Sequence, residues 1–330
     1  MTACVHTIIL NWRTAAMTLR SAEAALTAMQ GISGAITIVD NDSGDGSEQT
    51  LRRAVADRGW DRVQVVQAGH NGGFGAGNNV GIRAGLPDGA RPDYVYILNS
   101  DAFPAPDAIR ILLDHLQTHP LIGFAGSYIH GLEGDPHTTC FRFPTVWSEI
   151  EGAARTGPIT RALKRHVVPM EIPASGVMRV DWLAGCSLMM RRAVLDRIGL
   201  FDETFFLYFE ETDLCLRAAR AGWPTDYVRA SQVAHIGSES TGMKRWKRTP
   251  GYWFDSRRHY FTKNHGRATF AAATLAHVAG GLIWRLRCAL TRRGTGDPPH
   301  FLRDLVAHSL SQGPRDPQAK GATSPGRSIP

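Results

Sequence analysis

Glu210, Glu211 and Asp213 stand almost together, directly behind the aromatic run Phe205, Phe206, Tyr208 and Phe209. Acids in a first helical turn are favoured by free N–H groups and the macrodipole. Their plainest role is therefore a capped helix, with Asp213 and Arg217 paired at i,i+4. Acids ringed by bulky aromatics also suit an acid/base site on the floor of a pocket. Asp101, in LNSDAF, follows an apolar run and can hold Mg2+ or Mn2+ on a diphosphate; its alternative is turn or N-cap duty ahead of Pro106. His235 likewise ends an apolar run, and a lone histidine serves structure as readily as ligation.

Two polar loops add binding chemistry. In DNDSGDGS, Asp40 and Asn41 can accept from and donate to a base or ribose, although Asp, Asn, Gly and Ser are also ordinary turn formers. In NGGFGAGNN, the glycines at 72, 73, 75 and 77 permit close backbone approach and positive φ. Asn78 and Asn79 then fall near a helix N-terminus, which suits an anion; the alternative is a flexible glycine loop. The loop is not a G-x-G-x-x-G fingerprint, and its place after the third strand argues against a dehydrogenase. It lacks G-K-[ST] and so is not a P-loop.

The elements that must carry these residues are legible. Apolar β-rich runs at Cys4–Asn11, Ala35–Val39, Val63–Val66, Tyr94–Leu98, Leu121–Tyr128 and Asp226–His235 read as strands. Helical spacing is found at Thr18–Met29, Glu48–Arg58, Pro106–His115 and Tyr252–Phe261, and in a short helix closed by Gly199. The alternation predicts an α/β fold with a mainly parallel sheet, its polar loops at the C-terminal strand ends where such sheets bind ligands. Residues 131–178 lose the rhythm and read as an irregular, partly mobile insert. Ala268–Leu290 reads as an apolar helix, or as a helical hairpin broken at Gly280 and Gly281, with a further short helix at His300–Leu310. The tail from Ser311 has the composition of a disordered segment.

The chain has 330 residues, with 37 Lys and Arg against 30 Asp and Glu and a net charge of +7. Much of the basic excess lies beyond Lys244, away from the acidic and glycine motifs. Five scattered cysteines point to reduced thiols and a cytosolic address. Val5–Leu10 is too short, and lacks the basic flank, for a secretory signal. The basic, apolar C-terminus suits peripheral attachment to an anionic inner membrane surface; an ordinary core helix with a solvated basic end fits it equally.

Taken in order, the first strand ending at Asn11, VDNDSGDGS, NGGFGAGNN, LNSDAFP and AGCSLMMRR…GLFDETFFLYFEETDLCLRAARAGW resemble the family 2 glycosyltransferases, and within them a rhamnosyltransferase-like branch. VAHIGSEST and YWFDSRRHYFTKNHG extend the match. The resemblance implies a GT-A fold: a Rossmann-like, mainly parallel mixed sheet flanked by helices over residues 1–240, divided at 128 and 180. A helical basic extension over 241–310 and a tail over 311–330 follow it. It implies inverting transfer of a sugar, a deoxysugar such as rhamnose on dTDP among them, from a nucleotide diphosphate donor. The acceptor would be a glycan, a lipid-linked glycan or a small molecule, and not a nucleic acid. On the donor side it assigns Asn11, Asp40, Asn41, Asn71, Gly73, Phe74, Asn78, Asn99 and Asp101. Asp101 and His235 would hold Mg2+ or Mn2+, although Asn99-Ser100-Asp101 keeps only the last acid of the family's D-x-D. The family's Glu-Asp is Glu210-Glu211 here, so Glu211 inherits the role of base, with Glu210 beside it and Asp213 as fallback. Trp182, Gly185, Phe206 and Tyr208 fall on the acceptor side, where the aromatics either stack on sugar or pack the core. A non-catalytic sugar-nucleotide or glycan binder with a decayed site is the alternative that the longer Glu211 and thin N-S-D motif admit.

Overall fold

The computed structural model describes residues 3–237 and 247–311. Residues 1–2, 238–246 and 312–330 lie outside the described residues. The first strand, β1 (Cys4–Asn11), is buried over most of its length, and its apolar residues face helices on both sides. It pairs in parallel with β2 (Ser33–Asp40) and β4 (Tyr94–Asn99), and β2 pairs in parallel with β3 (Val63–Gln67). The crossovers are α1 (Ala15–Ala28), α2 (Ser47–Asp57) and α3 (Gly73–Ala84). These strand ends carry DNDSGDGS, NGGFGAGNN and NSD along one edge of the sheet.

The second half breaks the parallel order. The run SLMMR forms β10 (Ser187–Arg191), which enters antiparallel between β4 and β6 (Phe124–His130). Then β11 (Thr225–His235) returns parallel to β6, with β5 (Ala102–Pro104) and β8 (Val177–Val180) antiparallel to it. Among the described residues this gives a nine-stranded, mixed sheet. Helices α4 (Ala108–Thr118), α7 (Arg192–Ile198) and α8 (Glu210–Arg220) complete its cover, and a small ribbon, β7 (Cys140–Phe141) with β9 (Trp182–Leu183), lies outside it. The strand expected from Leu121 begins at Phe124, because Leu121 lies in the turn after α4.

The segment expected to be irregular holds α5 (Val146–Ala154), started by a capping box in which Thr145 and Ser148 satisfy each other's backbone N–H groups. A shorter helix, α6 (Gly157–Ala162), follows. The C-terminal region consists of α9 (Gly251–His265), α10 (Arg267–Thr291) and α11 (Phe301–Leu310). Gly280 and Gly281 do not break α10. A Cβ on Gly280 would lie 2.6 Å from the Ile150 carbonyl oxygen and 2.9 Å from Ala153 Cβ, so the glycine lets α5 cross at backbone contact. Gly281 makes room for Leu302 in the same way.

One buried ion cluster ties these helices together. Glu149 of α5 accepts from Arg257 Nη2 of α9 at 2.9 Å and from His277 Nδ1 of α10 at 2.7 Å. Burial works against a charge on Glu149, but Arg257 and His277 outweigh it and hold the carboxyl below its ordinary value. A carboxyl held low stabilises the fold above its unfolded value and loses that contribution as pH falls through its folded value. Arg257 is only 1% exposed, so removing its partner leaves a buried, unmatched charge. Glu149→Gln is expected to cost about 3–5 kcal/mol at neutral pH. The gap to the parent should narrow as the pH falls below the ordinary carboxylate range, measured by denaturant titration at several pH values. A cost that does not change with pH would show that packing, not charge, joins the helices.

Candidate active site

The site is built around two consecutive residues of the AGCS segment. Gly185 donates its N–H to Glu211 Oε1 at 3.0 Å, and the carbonyl of Cys186 accepts from Asn99 N at 3.0 Å. Two adjacent residues thus join the first turn of α8 to the N-S-D strand end. A Cβ on Gly185 would lie 2.9 Å from Glu211 Oε1 and 2.8 Å from the Phe74 ring, so a side chain there would displace the carboxylate or the ring.

Glu211 is partly open, whereas Glu210 beside it is buried and its Oε2 has no partner. Burial, and then the Glu211 charge, push Glu210 well above the ordinary carboxylate value. Burial also raises Glu211, against the pull of its own N–H and that of Gly185. Two adjacent acids in one dry first turn resist ionising together, so the pair favours one neutral and one charged carboxyl. Asp213 lies elsewhere. It is fully buried and bound by Arg217 Nε at 2.8 Å, Lys263 Nζ at 2.9 Å and Asn264 Nδ2 at 2.8 Å. Those partners hold it below its ordinary value against burial. This corrects the expectation of Asp213 as a fallback base: the carboxylate is already neutralised by its ion pairs and is turned toward α9.

Asp101 and His235 meet at the ends of neighbouring strands, with Asp101 Oδ1 3.0 Å from His235 Nε2. Gly237 N donates to Asp101 Oδ2 at 3.1 Å, and Asn99 Nδ2 lies 3.4 Å from the same His nitrogen. Burial opposes a charge on His235, but the Cys186 sulfur and the Asp101 carboxylate outweigh it and raise the imidazole to about 10. The donor set is one carboxylate and one imidazole; the imidazole must first give up the proton that Asp101 stabilises, and Mn2+ or Mg2+ fits only where a ligand such as a diphosphate supplies further oxygens. Among the described residues no group of three or more His, Cys, Asp and Glu side chains is poised to hold a metal alone.

The remaining residues expected on the donor side are linked to one another by hydrogen bonds. Asn41 Nδ2 donates to Asn71 Oδ1 at 2.9 Å and to the Gly73 carbonyl at 3.3 Å, which leaves Asn41 Oδ1 without a partner. Gly73 has φ +89°, and a Cβ there would lie 1.8 Å from the Phe206 carbonyl oxygen; that same oxygen accepts from Phe74 N at 3.0 Å. The glycine loop is thereby sewn to the aromatic loop. Asn78 is fully buried and donates to the Phe74 carbonyl inside its own helix. Asn11 donates to Asp40 Oδ1 at 2.7 Å. Ser43 and Gln67 also donate to Asp40, so its carboxylate holds the 40–43 turn shut.

Of the residues expected on the acceptor side, Tyr208 stacks on Tyr252 with ring centroids 6.3 Å apart, and Phe206 lies 5.3 Å from the same ring. Trp182 stacks on Phe141 at 4.2 Å and donates to the Arg142 carbonyl, so much of it is used in packing. Tyr252 was missed as a wall of this site. Its signal was the aromatic run YWF in the segment that matched downstream. Lys263, His259 and Asp202, which clamp α9 against α8 and the preceding loop, gave no local signal.

Comparison with known proteins agrees with this architecture. Residues 3–258 match the model of the family described as "Glycosyltransferase like family 2". The chain is 31% identical over 224 residues to an N-acetylglucosaminyl-diphospho-decaprenol L-rhamnosyltransferase of Mycobacterium tuberculosis, covering 63% of this chain and 68% of that one. It is 26% identical over 234 residues to the low-salt glycan biosynthesis hexosyltransferase Agl10 of Haloferax volcanii, covering 71% and 69%. In fold it is similar to the mannosyltransferase PcManGT of Pyrobaculum calidifontis in complex with GDP-Man and Mn2+. That match has a TM-score of 0.55 at 13% identity and covers 94% of this chain and 87% of the other. GalNAc-T7 with UDP, GalNAc and Mn2+ is similar with a TM-score of 0.58 at 12% identity, covering 93% and 55%. The expected α/β architecture, the motif order and the family match agree: the chain is a glycosyltransferase of family 2 with a GT-A fold.

Proposed function

We propose that the chain is an inverting glycosyltransferase that moves a deoxyhexosyl group, rhamnosyl from a dTDP donor being the leading case, to a hydroxyl of a lipid-linked glycan. The reading is supported above all by the link through Gly185 and Cys186, adjacent residues of which one binds the Glu211 carboxylate and the other the end of the Asn99–Asp101 strand. The sugar and the acceptor come from the name of the mycobacterial relative and carry over as part of the proposal.

Each residue then has a task. Asn41 and Asn71 line the nucleotide, their side chains held together by the bond from Asn41 Nδ2 to Asn71 Oδ1. Backbone at Gly73 and Phe74 closes over the donor. Asp101 and His235 would hold Mg2+ or Mn2+, which supplies positive charge to the departing diphosphate. Glu211, oriented by the Gly185 N–H, takes the proton of the acceptor hydroxyl as its oxygen bonds to the anomeric carbon. The bond from that carbon to the diphosphate oxygen breaks, and the electron pair leaves with the nucleotide. One displacement inverts the centre and needs no enzyme nucleophile. Glu210, held neutral by burial, leaves the negative charge of the pair on Glu211. Phe206, Tyr208 and Tyr252 offer faces on which the acceptor sugar stacks.

Binding is tested by melting the protein with dTDP, UDP, GDP or CDP, with and without Mn2+ or Mg2+. One nucleotide should raise Tm by several degrees, and more with metal, because a ligand at a hundredfold its Kd adds about 2.7 kcal/mol. Asp101→Asn should erase the metal-dependent part of the shift, measured from that variant's own unliganded Tm, which falls because His235 loses its buried partner. No shift with any nucleotide would overturn the donor site.

Chemistry is tested at Glu211. Glu211→Gln should lower turnover about a hundred- to ten-thousand-fold while the nucleotide-induced Tm shift remains. The base must be ionised, so kcat/KM should fall at low pH with a midpoint above the ordinary 4.5 of a glutamate, since burial raises this carboxyl. A chain that binds nucleotide but transfers no sugar, with Glu211→Asp equally silent, would be a binding relative with a decayed site.

A further inference from the structure

The outer face of α10 is unusual in what it lacks. From Arg267 to Gly296 the chain contains no Asp or Glu. Leu275, Leu282, Leu286 and Leu290 follow one another at helical spacing on one stripe, and each is between 56% and 77% exposed. Ile283 borders them, and the exposed residues that extend the stripe toward the helix start are alanines, among them Ala268. From Leu275 to Leu290 the leucine stripe runs about 22 Å, at about 1.5 Å per residue. Exposed arginines stand at its two ends, Arg267 at the start and Arg287, Arg292 and Arg293 at the finish.

The opposite face is fully used. Phe270, Ala273, Thr274, Gly280, Gly281 and Cys288 are buried against the rest of the chain, and Gly280 holds α10 at backbone contact with α5. The helix therefore cannot turn its whole circumference to lipid, and no described helix is long and apolar enough to cross a membrane. What it presents is a flat apolar strip with cationic ends. That geometry matches an acyl–headgroup boundary carrying negative charge, where leucines enter the apolar layer and arginines reach back to phosphates.

A second copy of the chain is the rival occupant, and charge argues against it. Two such strips facing each other set arginine against arginine, the C-terminal clusters together when parallel and each cluster against Arg267 when antiparallel, with no acid on either helix to pair with them. We propose that the exposed face of α10 is a docking surface for an anionic phospholipid membrane, on which the helix lies parallel to the plane of the bilayer. This does not rest on the glycosyltransfer reading, because it can be measured without donor or acceptor. The two together would bring the pocket to the surface on which a lipid-linked acceptor resides.

The test is flotation of the full chain with vesicles of equal parts phosphatidylcholine and phosphatidylglycerol, beside vesicles of phosphatidylcholine alone. The parent should float with the anionic vesicles and stay down with the neutral ones, and added salt should weaken its binding. The double change Leu282→Asp, Leu286→Asp should reduce the bound fraction at least about tenfold, with the melting curve preserved because both side chains are exposed. Arg292→Ser with Arg293→Ser, which leaves every packed residue in place, should also weaken anionic binding several-fold. Leu121→Asp, at an equally exposed leucine outside this face, should float as the parent does. The proposal is overturned if the parent fails to float, or if the folded Leu282/Leu286 variant floats as well as the parent. It is also overturned if sedimentation shows a dimer that the same variant dissolves while the parent ignores vesicles.

Discussion

The structure depends on a close approach of backbones that only glycine permits. At Gly73 the chain passes so near the Phe206 carbonyl that no side chain fits; Gly185 makes a looser contact, with the ends of the Glu211 and Phe74 side chains packed over its Cα. The Gly73 contact, with the bond from Asn99 N to the Cys186 carbonyl beside Gly185, joins the two halves of the fold, one carrying the parallel strands and their polar loops and the other carrying α8. Without them the donor-side asparagines and the acids of α8 would belong to separate units. Both contacts are hydrogen-bonded as well as tight, through Phe74 N to Phe206 O and Gly185 N to Glu211 Oε1. Geometry held in this way by backbone is what positioning of reactive groups requires, since an error of about 1 Å can cost two orders of magnitude in rate.

The electrostatics of α8 follow from which side of the helix each acid occupies. Glu210 and Glu211 sit where burial disfavours charge and no cation answers it, so both are raised. Asp213, a few residues on, faces Arg217, Lys263 and Asn264 and is lowered. One helical turn thus contains carboxyls pushed in opposite directions, a pattern that separates an acid/base group from an ion-pair anchor. Proximity in sequence to an acidic cluster is therefore a poor guide to role, while the partners across the fold decide it.

This explains what was legible beforehand. Strands buried on both faces leave continuous apolar runs, and their ends are marked by abrupt polar loops. Hence β1 to β4, β11 and the edge that carries the motifs could be read directly. Gly199 and the alternation of elements were legible for the same local reasons. Asp213 could not be assigned, because its partners Lys263 and Asn264 are about fifty residues away and look like any charged helix face. The i,i+4 partner Arg217 was legible, and it turned out to be only one of the residues that hold this carboxylate. Gly280 and Gly281 signalled a break by composition, but their function is a helix crossing, a property of the partner surface of α5. Asp40 was readable as a polar strand-end residue. That Asn11, Ser43 and Gln67 draw it into the turn required the register of three strands.

The segment just before the acids shows why the C-terminal helices belong to the site. Tyr208 and Phe209 both have φ of +70°, a conformation that side chains larger than glycine rarely adopt and that costs on the order of 1–3 kcal/mol each. Such a turn persists only where its surroundings determine it. Here the Phe206 carbonyl is fixed by Phe74, Tyr208 is stacked on Tyr252, and Phe209 packs among Trp253 and Tyr260. Those last partners all lie on α9, which Lys263 and Asn264 in turn clamp to Asp213 of α8. The same helix therefore holds the strained turn from one side and the acid-bearing helix from the other. The direction of Glu211 is set by that grip as much as by its own helix, and α9 is held to the rest of the chain through Arg257 and Glu149.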